Sequence, residues 1–207
     1  MIAIIKYKAG NIASVSNALD RLGAHYFFAE SPQELESARA VIFPGVGHAQ
    51  AAMQSLQELG IDEWLKNTRK PVLGICVGMQ LLYEGSSEGD TKGLGIIPGN
   101  MKKFESDTQK VPHMGWNTVQ KLKNHHLIHG LEDEKHLYFV HSYYAPVTDY
   151  TIASCDYINP FSAAVVKDNF MGVQFHPEKS GNVGSKVLQN FLDLVYSKQK
   201  VTRIITE

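Results

Sequence analysis

A cysteine stands between two glycines in Gly74-Ile75-Cys76-Val77-Gly78, where an apolar run of strand length gives way to a helical pattern. A residue at such a junction sits on a tight, strained turn, and only small neighbours let the backbone fold beneath it. The start of the following helix places partial positive charge near the sulfur and favours the thiolate. It also aims the Val77 backbone N–H at any oxyanion that forms there. The bland alternative is a buried, inert cysteine after a core strand. A second candidate constellation is Gly172-Val173-Gln174-Phe175-His176-Pro177-Glu178. On extended backbone, residues two apart point the same way, so His176 and Glu178 can project together. A cysteine nucleophile needs a base, and the base needs a third group to fix its tautomer. His176 and Glu178 suit those two roles, although taken alone they could be an ordinary pair at a strand end. Pro177 stiffens the segment and donates no hydrogen bond.

Those residues need a scaffold, and the first half of the chain supplies an alternating one. Ile2 to Ile5, Tyr26 to Ala29, Ala40 to Phe43 and Pro71 to Ile75 read as strands. Between them lie helical stretches from Asn11 to Leu22 (ending at Gly23), from Pro32, from His48 to Leu59, and around Trp64. Ser31-Pro32-Gln33-Glu34 has the form of a capping box, with Ser31 as N-cap and Glu34 reaching back. Pro44-Gly45-Val46-Gly47 breaks the third strand, and a helical Gly78 to Tyr83 follows the cysteine. Unbroken apolar strands joined by helices indicate a mostly parallel sheet covered by helices, an α/β fold.

The second half is more strand-like, with runs at His136 to Tyr144, Thr151 to Cys155, Ser162 to Val166 and Phe170 to Phe175. The last two meet across Lys167-Asp168-Asn169 as a hairpin. These are extra antiparallel strands. A helix from about Gly184 to Tyr196 closes a single domain spanning 1–207, with a polar tail from about 198 left unassigned.

Composition excludes several classes. With 20 Lys and Arg against 21 Asp and Glu the net charge is −1, which offers no footprint for nucleic acid or an anionic membrane. No apolar run reaches the roughly 20 residues of a membrane span, and the N-terminus lacks a signal-peptide layout, so a cytoplasmic location is expected. The two cysteines, Cys76 and Cys155, form no Cys-x-x-Cys pair and suggest neither a metal site nor a structural disulfide. Cys155 has no elbow around it. His125 and His129 are four apart and tempt a metal assignment, but the segment reads more simply as a short helical turn on the surface. No metal and no cofactor are expected.

Three blocks in order resemble the class I glutamine amidotransferases, the triad glutaminases: Pro44-Gly45-Val46-Gly47, Gly74 to Gln80, and Phe175-His176-Pro177-Glu178. That resemblance implies a flavodoxin-like fold and hydrolysis of L-glutamine, with Cys76 as nucleophile, His176 as base and then acid, and Glu178 as orienter. It implies that Gly45, Val46 and Gly47 form the oxyanion strand beside Val77. It further implies that Gln80, Glu88, His141, Ser142 and Tyr143 hold the substrate. The block Lys110-Val111-Pro112-His113-Met114-Gly115-Trp116-Asn117, with Tyr7-Lys8-Ala9-Gly10-Asn11 and Lys179-Ser180, is similar to the glutaminase subunits of imidazole glycerol phosphate synthases. Lys8 departs mildly from that pattern. This narrower likeness implies a heterodimer with a (β/α)8-barrel cyclase subunit that uses the ammonia in histidine biosynthesis. Pro112, His113, Met114, Gly115, Trp116 and Lys179 would then lie at the interface, and the glycines at 45 and 47 would permit a peptide flip. Competing possibilities are the glutaminase subunit of anthranilate or aminodeoxychorismate synthase, a non-catalytic subunit on the same fold, and a general cysteine hydrolase.

Overall fold

The computed structural model describes residues 1–8, 12–131 and 135–205, with side chains through residue 196. Ala9, Gly10 and Asn11, part of one family block and the expected start of the first helix, lie outside the described residues. The alternating half comprises β1 (Ile2–Ile5), α1 (Ile12–Arg21), β2 (Tyr26–Ala29), α2 (Pro32–Ser37), β3 (Ala40–Gly45), α3 (Ala49–Glu58), α4 (Ile61–Asn67) and β4 (Val72–Cys76). Gly23 adopts φ +64° just past α1, the left-handed conformation that ends a helix. Ser31 caps α2 by accepting from the Glu34 N–H. Glu34 reaches back as expected but accepts from the N–H of Glu30, one residue before the cap.

After β4 come α5 (Val77–Gln80), β5 (Tyr83–Ser86), β6 (Thr91–Lys92), β7 (Ile97–Lys103), β8 (His113–Thr118) and β9 (Gln120–Lys121). Then follow β10 (His136–His141), β11 (Tyr143–Tyr144), β12 (Thr151–Asp156), β13 (Pro160–Lys167), β14 (Phe170–Val173) and α6 (Gly181–Ile205). The main sheet has the order β2-β1-β3-β4-β14-β13-β12-β9. The ladders from β2 through β14 are parallel, and those from β14 through β9 are antiparallel. Strands β1, β3, β4 and β14 are buried along their whole length, as expected for a sheet covered on both faces. Smaller sheets pair β10 with β8 and order β11-β7-β5-β6.

Several sequence expectations are corrected. The helix after Cys76 stops at Gln80, and Tyr83 opens β5 instead of closing that helix. The run His136 to Tyr144 is two strands in different sheets, because Ser142 leaves β10's line and its carbonyl accepts from the Phe104 N–H. Pro44 does not break β3; β1 pairs only as far as Ile42, so no partner there needs the missing N–H. Strand β14 ends at Val173, and Pro177–Lys179 is a 3-10 turn with Pro177 at its first position. The closing helix begins at Gly181 and runs through most of the tail, to Ile205. Asp168 and Asn169 form the hairpin turn between β13 and β14, with Asp168 at φ +53°.

Candidate active site

The C-terminal ends of the parallel strands form the floor of the site, where α/β sheets bind their ligands. Register sets three segments side by side. Gly45 of β3 lies opposite Cys76 of β4, and Val173 of β14 lies opposite Ile75. The chain beyond Val173 therefore runs past Cys76, carrying Gln174 and then His176.

Cys76 itself adopts φ +53° and ψ −110°, a positive-φ conformation outside the left-handed helical well that costs a side-chain-bearing residue about 1–3 kcal/mol. The flanking glycines make the bend possible by close approach. A Cβ on Gly78 would lie 1.9 Å from the Phe43 carbonyl oxygen, and one on Gly74 would lie 2.7 Å from backbone atoms of Gly78. Gly45 is equally confined, since a Cβ there would meet Gly78 N at 2.7 Å and the Tyr7 hydroxyl at 2.9 Å. Gly47 differs: it sits at φ +90° with open space around it. Of the two glycines expected to give freedom, Gly45 therefore serves packing and Gly47 alone has room.

His176 is 1% exposed, and its Nδ1 lies 2.7 Å from Glu178 Oε1. The pair meets across the 3-10 turn, with His176 as its N-cap, rather than along an extended strand. Burial pushes the imidazole down, but the Cys76 sulfur and the Glu178 carboxylate together outweigh it and raise His176 to about 9. Both neighbours therefore favour the protonated form of the imidazole. Its Nε2 is buried and has no protein partner in hydrogen-bonding geometry, as is Glu178 Oε2. An unpaired buried nitrogen costs about 1–3 kcal/mol, and the side chain that acts on this imidazole besides Glu178 is the Cys76 sulfur.

Cys76 and His176 line one cavity of about 650 Å³, within the range of small-molecule sites. Its wall includes Val46, Gly47, Val77, Gln80, Glu88 and Tyr143, with His141, Ser142, Pro112 and Lys179 completing it. The structure therefore gathers every expected substrate residue around the sulfur except Gly45, which packs underneath. Glu88 also has a local task, since its Oε2 accepts the Ala49 N–H at 2.7 Å and caps α3. The Tyr7 hydroxyl donates to the Pro44 carbonyl at 2.7 Å and pins the strand that leads into the 45–47 segment. Burial pushes that phenol well above its ordinary range, so it stays a donor.

Of the expected interface residues, Met114 and Trp116 are 63% and 55% exposed and share one face of β8. His113 is corrected: the alternation of that strand turns it inward, to 4% exposure. Its Nδ1 lies 3.1 Å from His141 Nε2, and His141 Nδ1 lies 2.8 Å from the Tyr143 carbonyl. That carbonyl can only accept, so His141 donates from Nδ1 and accepts from His113 at Nε2. Burial lowers both imidazoles, His113 to about 4 and His141 to about 3, which keeps them neutral. Trp116 stands edge-on to Tyr138, and Lys179 Nζ lies 5.9 Å from the same tyrosine ring. Gly115 lies between the two exposed residues at φ +136°.

Sequence reasoning gave no role to Gln174, which is fully buried and lies beside the sulfur. Its position two residues before His176 on near-extended backbone was the available signal. The histidine-rich segment holds no metal set; among the described residues no group of His, Cys, Asp or Glu could bind one. His125 instead caps the 3-10 turn His126–Ile128 by accepting from the Leu127 N–H. That turn is not wholly on the surface, since Leu127 and Ile128 are buried. Cys155 is buried in β12, and desolvation pushes its thiol up to about 12. Among the described residues, no helix is long and apolar enough to cross a membrane.

Comparison with known proteins gives the family of the chain. Residues 4–195 match the family glutamine amidotransferase class-I. The chain is 52% identical over 195 residues to the imidazole glycerol phosphate synthase subunit HisH of Bacteroides thetaiotaomicron, covering 93% of this chain and 99% of that one. It is 42% identical over 206 residues to the subunit of the same name from Colwellia psychrerythraea, covering 92% of each. Among solved structures, a glutamine amidotransferase superposes with a TM-score of 0.73 at 17% identity, over 94% of this chain and 98% of the other, a likeness of fold.

Proposed function

The chain belongs to the glutamine amidotransferase class-I family, together with the HisH subunits of imidazole glycerol phosphate synthase, and we propose that it is the glutaminase subunit of such a synthase. In this role the 207 residues act as one domain in the cytoplasm and pass ammonia to a (β/α)8-barrel cyclase subunit that works in histidine biosynthesis. The observation that carries the proposal is the strained cysteine sharing a cavity with a buried, carboxylate-paired histidine.

The chemistry follows from those groups. Cys76 gives its proton to His176 and attacks through sulfur. A C–S bond forms to the carboxamide carbon of glutamine, and the carbonyl electron pair moves onto oxygen. Backbone N–H groups of Val77 and of Val46 and Gly47 are assigned to that oxyanion. His176 Nε2, which has no competing partner, delivers its proton to the amide nitrogen. The C–N bond breaks, ammonia departs and a thioester remains. Water then attacks, His176 takes its proton, and the C–S bond breaks to release glutamate. Glu178 holds the imidazole in the required orientation throughout.

Free ammonia in neutral water is mostly protonated and loses its nucleophilicity, so the cavity mouth is best sealed by a partner. Lys179 lines the cavity and lies over the Tyr138 ring, which meets the exposed Trp116 beside the exposed Met114, and Met, Trp and Tyr are residue types enriched at interfaces. The test is glutamate release by the chain with a cyclase subunit and its nucleotide substrate. Cys76→Ala is expected to abolish glutamine-dependent synthesis while the complex still uses added ammonia. Undiminished glutamine use by that variant would end the proposal.

A further inference from the structure

We propose that Gln174 is a further catalytic residue, whose side-chain N–H donates to the Cys76 sulfur and favours its thiolate form. The inference rests on Cys76 being the nucleophile. It begins with register: β14 runs parallel to β4 with Val173 opposite Ile75, which brings Gln174 alongside Cys76. Gln174 is fully buried, and its Nε2 lies 3.6 Å from Sγ.

Which end of that amide faces the sulfur is decided by neighbours that have no choice. The Tyr143 carbonyl can only accept, and it receives Gln80 Nε2 at 3.1 Å beside the His141 donation. Gln80 is thereby oriented with its nitrogen inward. The other N–H on that nitrogen goes to Gln174 Oε1 at 3.0 Å. With its oxygen occupied, Gln174 turns its nitrogen to the sulfur. Reversing the amide would set oxygen against sulfur and leave the second Gln80 N–H unpaired in a dry site, which is unfavourable. The direction of the network thus runs from one backbone carbonyl to the nucleophile, without any charged group in the relay.

A second contact at the sulfur pulls the other way. The Val140 carbonyl lies 3.9 Å from Sγ and suits an S–H donor. The amide contact is the shorter of the two and favours the deprotonated state. The titratable groups around Cys76 are His176 and Glu178 at the 3-10 turn, Tyr7 after β1, His141 on β10, and Glu88 and Lys179 on the cavity wall. None of these changes when Gln174 is replaced by a neutral side chain, so the amide's effect can be isolated.

The test is the pH dependence of Cys76 alkylation by iodoacetamide in the full chain, with peptide mass mapping to count Cys155 separately. Gln174→Met and Gln174→Leu each remove the donor without adding a charge beside the sulfur. In both, the midpoint of the reactivity profile is expected to rise by about one pH unit, a roughly tenfold loss of reactivity below it. A packing role alone would lower thermal stability and leave the midpoint in place, which would overturn the proposal. Should neither variant fold, the Gln174 side-chain amide resonance of the unaltered chain is expected to titrate with Cys76 and shift on its alkylation. A resonance indifferent to both would equally refute it. Glutamate release by Cys76→Ala reports separately on the nucleophile assignment, and its failure would not touch the alkylation result.

Discussion

Gly78→Ala probes the elbow more directly than any change to the reacting groups. The added methyl would stand 1.9 Å from the Phe43 oxygen, 3.0 Å from its carbonyl carbon and 3.3 Å from its ring. An ordinary contact is roughly 3.5 Å, so about 1.5 Å of relief is needed. Phe43 is fully buried mid-strand in β3, whose neighbours Gly45 and Pro44 pair with Cys76 and Ile75. The strand cannot yield, so the displacement falls on α5 and on the elbow that begins it. Overpacking of this kind costs about 3 kcal/mol, which for a chain of this size lowers the melting temperature by roughly 6–12 °C. Moving the sulfur by on the order of 1 Å relative to His176 is expected to lower glutamate release about 100-fold. Gly47→Ala is the control for packing, read by melting because Gly47 also lines the cavity: no atom lies within 4 Å of its Cβ, and only the φ of +90° is penalised, by about 1–2 kcal/mol. Differential scanning fluorimetry on both variants and a coupled glutamate assay on Gly78→Ala check this. A Gly78→Ala protein with wild-type melting and activity would refute the close-packing argument.

Three further outcomes follow from the same geometry. Since His176 is held at about 9, above its ordinary 6.5, its contribution to stability is complete below about pH 6.5 and is lost as pH rises through about 9. Urea unfolding should therefore weaken across that window. In Glu178→Gln the histidine's NMR titration should fall by about 1–2 units, the pH slope should flatten and glutamate release should drop by about 10²–10⁴; an unmoved titration would exclude Glu178 as orienter. Met114→Ala combined with Trp116→Ala should change the chain's own stability by no more than about 1 kcal/mol, because both side chains are mainly exposed. Calorimetric titration with a cyclase subunit should show binding weakened by at least about 2 kcal/mol, and unchanged affinity would remove this face from the interface.

The chemistry was legible in the sequence because its signals are local. Glycines two residues either side of Cys76 reveal a bend, and His176 and Glu178 announce themselves by proximity along the chain. Strand membership in the alternating half was equally plain, since strands buried on both faces read as unbroken apolar runs. What could not be read was adjacency. Nothing local says that β14, nearly a hundred residues downstream, enters the sheet beside β4, yet that pairing is what sets Gln174 and His176 next to Cys76. Nor did local pattern resolve β5, β6 and β7, whose short, mixed-burial strands lack clean alternation. His113 was misplaced because a family block was taken as a surface unit, whereas strand parity divides it between inside and outside.

Parity and register also explain how a strained residue is held so firmly. Cys76 carries backbone strain, and two polar atoms nearby, His176 Nε2 and Glu178 Oε2, are buried without partners. Each is unfavourable by about 1–3 kcal/mol, so an isolated loop with these features would relax. Relaxation here is blocked from three sides. Gly78 cannot rise because it rests against Phe43, and Gly45 is wedged against Gly78 and the Tyr7 hydroxyl. His176 cannot swing out because its backbone N–H donates to the Tyr138 carbonyl at 2.9 Å while Ser180 Oγ donates to its own carbonyl at 2.6 Å. The unpaired atoms therefore remain where a substrate amide would meet them, and the stability to keep them there comes from the buried parallel strands below.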